Sequence, residues 1–425
     1  MDEAPNHDVD QPTVTQTQSS RPTDAASLIL TINGGSSSLK FALFDHTDCS
    51  LRPAEGHIER IGTSQAQWTT HGLQDDFKED RTVEAPDQRA AAALVIKWLD
   101  LKFGLAAIVA IGHRIVHGGT QFYLPQPVTT AVLEALRKNC PLDPDHLPGE
   151  LALIEAFQER CPTTTQVVCF DTAFHHELPR VAQIVPIPRK FAAAGVRRFG
   201  FHGLSYEFLM KELCRIAPAE ESQGRVILAH LGSGASLAAV YGGRSVDTTM
   251  GFTPASGLVM GTRAGDIDPG IVRFLAQQQG ISSEQFDQLV NHQSGLLGVS
   301  ETSSDVRDLL ARQSDDVRAA QAIELFCYST RKAIGAYAAV LGGVDSLVFS
   351  GGIGEKAVEI RRRICDGLGF LGIHIDENCN QANASVISTS EGHVKVRVIH
   401  TDEEQTIVNG VIRVLQHASN RETKQ

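Results

Sequence analysis

The sequence predicts an α/β protein built from two duplicated halves with a ligand cleft between them. Three observations carry that expectation. Apolar runs of strand length alternate with longer stretches of helical pattern, as when strands are joined by crossover helices. A strand, a Gly/Ser turn and a returning strand occupy residues 28–44 and recur at 226–240, which reads as an internal repeat. Charged and polar residues directly follow several apolar runs, where the ligand sites of α/β sheets form.

Taken in order, residues 1–26 are rich in Asp, Gln, Thr, Ser and Pro and predict a disordered tail outside the core. Apolar runs at 28–32 and 39–44 flank Asn33-Gly34-Gly35-Ser36-Ser37-Ser38-Leu39-Lys40. Such a turn gathers backbone N–H groups, three hydroxyls and a Lys at one point, which suits phosphoryl oxygens; an ordinary hairpin turn is the other reading. Residues 89–105 predict a helix, and 107–111 a buried strand that delivers Gly112, His113 and Arg114 to its end. A helix at 132–139, a Pro-rich loop at 141–148 and a helix at 151–158 lead to a strand at 166–170 that ends at Asp171. The second half repeats the opening: strand 226–231, turn Gly232-Ser233-Gly234, strand 236–240. A long helix at 319–341 and a strand at 346–349 precede a glycine turn, Gly351-Gly352-Ile353-Gly354, into a helix starting near Glu355. A strand at 394–399 leads to a closing helix at 403–417, capped by Thr401 or Asp402.

Composition narrows the function classes. A formal charge of −12 over 425 residues argues against nucleic acid as the main partner, because backbone binding needs a basic face, so an anionic ligand requires a locally basic pocket. The 8 cysteines include no CxxC pair and no metal-ligand spacing, and predict reduced thiols in an intracellular protein. With no bilayer-length apolar run and no basic-then-apolar start, a cytoplasmic protein without a membrane partner is expected.

Several stretches in one order, from about residue 28 to 417, resemble the acetokinase (acetate kinase) family of the acetate and sugar kinase, heat-shock chaperone and actin superfamily. They are the opening turn, the run from His113-Arg114 to Gly118-Gly119, Phe170-Asp171-Thr172, Gly200-Phe201-His202-Gly203, His230 to Gly234, Asp247-Thr248-Thr249, Gly261-Thr262-Arg263, Ser304-Asp305-Val306-Arg307, Gly351 to Glu355 and Thr401-Asp402-Glu403-Glu404. The resemblance implies two duplicated actin-like, ribonuclease H-like α/β domains with a nucleotide cleft between them. The N-terminal domain would be 27–174 plus 405–425, the C-terminal domain 175–404. It further implies a homodimer and reversible transfer of the ATP γ-phosphoryl group to acetate, giving acetyl phosphate and ADP, with Mg2+, or Mn2+ in its place.

By the same resemblance Arg114 and Arg263 line the acceptor site as catalytic residues, Arg263 also steadying the transferring phosphoryl group, and His202 donates a hydrogen bond to that group. Forked guanidinium groups suit a carboxylate or phosphoryl group. Alone, His202 would read as a structural histidine. The family treats the residue matching Asp171 as an essential acid. A carboxylate acceptor needs no general base, so Asp171 reads here as orienting Arg114 or an ion, or simply as a strand-end cap. Val116, Phe201 and Pro254 match apolar residues around the acetate methyl group. Asn33 and Glu403 match the magnesium contacts; Glu403 is also what a helix's first turn selects. Ser36, Ser38 and Lys40 would approach the terminal phosphates, with His230, Leu231, Gly232, Ser233 and Gly234 opposite. Asp305, Val306 and Arg307 would meet the ribose and base, and Gly352, Ile353, Gly354, Glu355 and Lys356 the adenosine side.

One segment departs from the pattern. The family has a Leu-His-Asn-Pro-like segment where this chain reads Asp145-His146-Leu147-Pro148, so a carboxylate stands at a usually apolar position of the acceptor site. Asp145 either turns away, pairs with a basic group, or marks an acceptor other than acetate. Ser233 and Lys356 stand for Asn, Tyr206 for His and His400 for Pro. The alternatives are a kinase for propionate or another short carboxylate, and, in a different class, an actin- or chaperone-like ATPase switch without an acceptor.

Overall fold

The computed structural model describes residues 27–73 and 77–422, so the tail expected at 1–26 lies outside the described residues. Two sheets organise the chain. The first contains β1 (Leu28–Gly34), β2 (Ser38–Asp45), β3 (Ala54–Glu59), β4 (Ala66–Gly72), β5 (Lys78–Val83), β6 (Ile108–Ile115), β7 (Gln126–Pro127) and β8 (Thr165–Phe170), in the order β5-β4-β3-β2-β1-β6-β8-β7. The second contains β9 (Arg225–Leu231), β10 (Ala235–Tyr241), β11 (Arg244–Thr248), β12 (Ser346–Ser350) and β13 (Lys395–Val398), in the order β11-β10-β9-β12-β13. The halves share one topology. An antiparallel meander, β1-β2-β3 or β9-β10-β11, is extended from its first strand by two parallel strands, β6-β8 or β12-β13.

The central strands read as continuous apolar runs because both their faces are covered. On β1, Leu28, Leu30 and Ile32 pack toward Ala91, Val95 and Trp98 of the helix Gln88–Lys102, while Ile29 on the other face meets Ile407, Val408 and Val411 of the closing helix Glu403–Glu422. β9 does the same. Ile227 and Ala229 join Ile323 and Phe326 of the helix Val317–Leu341, and Val226 and Leu228 join Leu209 and Leu213 of the helix Gly203–Ile216. The helix Gly203–Ile216, between β8 and β9, thus packs under the second sheet, and the helix that follows β13 packs under the first. The two touch where Thr406 Oγ1 donates to the Leu204 carbonyl at 3.0 Å.

Several boundaries differ from the sequence expectation. The helix expected at 89–105 stops at Lys102, and Gly104 turns the chain with φ of +74°. The strand expected at 107–111 runs on to Ile115, so His113 and Arg114 lie on the strand rather than beyond it. The loop expected at 141–148 is shorter, because a helix already starts at Leu147 with Pro148 in its first turn, where a missing N–H costs nothing. The glycine turn at 351–354 is itself the start of the helix Gly351–Lys356. Asp402 rather than Thr401 caps the closing helix, accepting from the Gln405 N–H at 2.9 Å. No helix among the described residues is long and apolar enough to cross a membrane.

Candidate active site

The two hairpin turns face each other across a cleft between the sheets. Each is tightened by its own backbone, Gly35 N–H to Ser38 O at 2.8 Å and Gly232 N–H to Gly234 O at 3.0 Å. A chamber of about 510 Å3 is lined on one side by Asn33, Gly35, Ser38 and Lys40, and on the other by His230, Gly232, Ser233 and Gly234. It continues past Arg114, His146 and His202 into a second chamber of about 600 Å3, lined by Ser36, Val116, Asp171, Phe201, Pro254, Arg263, Asp305 and Arg307.

Arg114 is held from three sides. Nη1 donates to the Gly34 carbonyl and to Glu150 Oε1, both at 3.0 Å, and Nη2 donates to Asp171 Oδ2 at 3.1 Å. Burial opposes the charge of Arg114, but the carboxylates of Asp171 and Glu150 outweigh it and raise its pKa. Glu150 was not singled out in the sequence. It lies in the first turn of the helix Leu147–Arg160, is 3% exposed, and accepts from the Val116 N–H at 2.9 Å with its other oxygen. Burial raises its carboxyl above the usual carboxylate range, against the pull of Arg114.

Asp171 orients Arg114, as expected, but what it caps is a distant helix start and not its own strand-end turn. Besides Arg114, it accepts from the His202 N–H at 2.9 Å and, more weakly, from the Leu204 N–H at 3.4 Å, so it caps the helix Gly203–Ile216 while orienting a cation. His202 sits just before that helix with φ of +59°, a conformation rare for a residue with a Cβ. Its ring is fixed by Nδ1 on Ser236 Oγ at 2.8 Å and by stacking on His230 at 4.3 Å between centroids. Burial, and then the nearby His230, Arg114 and Arg263, depress its pKa well below the ordinary value, so the imidazole is neutral near pH 7. Tyr206 occupies the far side of Ser236 at 2.5 Å and completes a buried chain behind His202.

Arg263 contrasts with Arg114. Its Nη1 reaches the Pro254 carbonyl at 3.3 Å and Met260 Sδ at 3.9 Å, and among the described residues it forms no ion pair. Burial lowers its pKa, partly offset by Asp143 and Asp145. A cation so placed, opposite Arg114 and beside buried Val116 and Phe201, can receive an anion carrying a short apolar tail.

Asn33 donates through Nδ2 to Glu403 Oε2 at 2.8 Å and to Glu404 Oε1 at 3.2 Å. Two carboxylates therefore meet beside the Ser38 and Lys40 side of the first chamber, which fits a magnesium ion that keeps several waters and takes few protein oxygens. Glu404, like Glu150, was not singled out; burial raises its pKa, with Lys40 pulling it down.

The residues expected at the nucleotide behave unequally. Gly352, Glu355 and Lys356 line the first chamber, but the Leu231 and Val306 side chains are buried in the core at 0% and 3% exposure, so only their backbone could serve a ligand. Ile353 packs against the same core and Gly354 is buried. Glu355 is already engaged: it accepts from the Gly351 and Thr401 N–H groups and bonds His400 Nδ1 at 2.6 Å. Asp305 caps the helix Val306–Arg312 and grips Arg307, placing both at the second chamber rather than the first. Beneath the helix Gly351–Lys356, fully buried Arg361 donates to the Gly354 and Glu355 carbonyls at 2.9 and 2.8 Å.

Asp145 does not line either chamber and pairs with His292 Nε2 at 3.1 Å, on the helix Ser283–His292 of the other half, although its charge still acts on Arg263. It adds no wall to the acceptor side. His146, beside it, does line both chambers, its Nδ1 held by Asp143 at 2.7 Å.

Residues 28–409 match the model of the acetokinase family. An acetate kinase of Rhodopseudomonas palustris (strain TIE-1) is 42% identical over 392 residues, covering 91% of this chain and 98% of its own length. A propionate kinase of Citrobacter rodentium is 43% identical over 391 residues, covering 91% and 96%. The crystal structure of a propionate kinase from Francisella tularensis superposes with a TM-score of 0.84 at 35% identity, covering 90% of this chain and 98% of that one. With its two α/β halves, paired turns and cleft matched over nearly its whole described length, the chain belongs to the acetokinase family.

Proposed function

We propose that the protein is a kinase that transfers the ATP γ-phosphoryl group reversibly to acetate, forming acetyl phosphate and ADP. The observation that carries this is Arg263, a cation without a carboxylate partner among the described residues, facing the chamber that Arg114, Val116 and Phe201 also line. Phosphoryl transfer asks for alignment and for neutralisation of charge on the equatorial oxygens, so fixed cations dominate. Arg114 and Arg263 hold the acceptor carboxylate, and Arg263 and neutral His202 steady the transferring group. Asp171 holds Arg114 and the His202 backbone, and moves no proton, since the acceptor is already a nucleophile. Lys40, the two Gly/Ser turns and the helix Gly351–Lys356 hold the nucleotide. Glu403 and Asn33, with Glu404 beside them, would hold magnesium, which supplies charge to the nucleotide phosphates when bound. In this reading the domains divide at 174/175 and 404/405, the protein is a cytoplasmic homodimer, and sedimentation tests the assembly.

Propionate is the second acceptor, suggested by the propionate kinase at 43% identity. One methylene changes binding by only about 1–3 kcal/mol, so assay must decide. The test is ATP-dependent acyl phosphate formation, trapped with hydroxylamine, across formate, acetate, propionate and butyrate. Acetate or propionate should lead. ATP turnover indifferent to every carboxylate would replace this reading with an ATPase switch.

A further inference from the structure

Arg114 stands between two buried carboxylates, and Asp171 alone would satisfy its charge. Glu150 makes a second demand. It comes from a different element, the first turn of the helix Leu147–Arg160, and spans two acceptor-side groups: Oε1 takes Arg114 Nη1 at 3.0 Å and Oε2 takes the Val116 N–H at 2.9 Å. Each oxygen meets a donor, so the carboxyl group accepts at both ends. With Gly34 O and Asp171 Oδ2, three of the N–H protons of Arg114 are committed. Of the five that a guanidinium carries, two are left for a ligand, and their direction is set by the clamp.

We propose that Glu150 is a positioning residue for the acceptor: it locks the rotation of Arg114 and ties it to the Val116 backbone, so that the cation and the apolar wall meet the carboxylate as one rigid unit. This inference rests on the carboxylate-kinase reading. The helix end suits the carboxylate, because the first-turn N–H groups favour negative charge there. The site also gains a carboxyl group that an incoming carboxylate must tolerate, which Arg263, without an ion-pair partner among the described residues, offsets.

The test is E150Q, which keeps the size but can accept from only one of the two donors, with E150D as the variant that keeps the charge and shortens the reach. Both are compared in kcat and in KM for acetate and for ATP. In E150Q the acetate KM should rise at least about fivefold and kcat fall about tenfold, with the ATP KM within about twofold; E150D should fall between. Equal shifts in both KM values, or none, would overturn the proposal. A second readout is independent of turnover: arginine 15N NMR of the wild type, assigned with R114K, should show one slowly exchanging guanidinium that E150Q loses. Its absence in the wild type would overturn the clamp. If the wild type forms no acyl phosphate from any acid, the functional reading fails and the NMR comparison still decides the clamp.

Discussion

Arg114 and Arg263 serve one chamber, yet their surroundings predict opposite costs of removal. Arg114→Ala leaves Asp171 and Glu150 buried at 1% and 3% exposure without their cation, a loss of about 3–5 kcal/mol of stability. Arg263→Ala breaks no ion pair among the described residues and removes a cation whose burial already depresses its pKa, so stability should change by less than about 1 kcal/mol. Both should lower kcat by orders of magnitude. Urea unfolding beside turnover checks the contrast; an Arg263→Ala protein that is active, or as unstable as Arg114→Ala, would remove the assignment. At this scale the sequence was legible where a residue sat in a motif, as Arg114, Arg263, His202 and Asp171 did. Glu150 was not, because an acid in the first turn of a helix is what helix starts select for their own sake. Nothing in one dimension shows that its two oxygens end on Arg114 and on a strand backbone.

Elements were legible in proportion to how fully they are buried. β1 and β12, buried along their length, and β9, buried except at Arg225 and His230, read as apolar runs, whereas the edge strand β5, with pattern KEDRTV and only Val83 buried, left no signal. The segment before the helix Leu147–Arg160 was legible only in composition: Pro and Asp mark a loop, but which way Asp145 points depends on His292, 147 residues away. That contact bears on the departure from the family pattern. With Asp145 turned to His292 and outside both chambers, Asp145→Leu should leave the order of preference among formate, acetate, propionate and butyrate unchanged. The exposed pair itself should be worth no more than about 1 kcal/mol. The hydroxylamine assay checks this, and an acceptor preference remade by the substitution would mean that the loop reaches the pocket.

Across the whole molecule, the repeat read from two Gly/Ser hairpins corresponds to a repeat of sheet order, β3-β2-β1-β6-β8 against β11-β10-β9-β12-β13. The return of the closing helix to the first sheet was expected only from the resemblance, which groups 405–425 with the first half, since the helix's own apolar face would suit either sheet. Burial at this scale also carries a pH signature. His113, His117 and His175 are pushed down to about 4, chiefly by burial, and His202 and His230 are lowered in the same sense. In the unfolded chain these groups titrate near about 6.5, so below that pH the unfolded state binds more protons and stability falls as pH drops toward the folded values. Glu150, Glu404 and Asp247, raised by burial, and His400, raised by its bond to Glu355, work in the opposite direction, so the wild-type curve alone mixes both signs. One substitution separates them. His113→Gln can keep a polar contact to Gln166, which now meets His113 Nε2 at 2.8 Å, while removing the titration. The stability of the wild type relative to His113→Gln should therefore fall by on the order of 2 kcal/mol between pH 7 and pH 5, as the unfolded histidine gains a proton that the folded one refuses. Urea unfolding of both proteins at the two pH values measures the difference, and a gap that stays constant would mean that His113 is protonated as readily inside the protein as outside it.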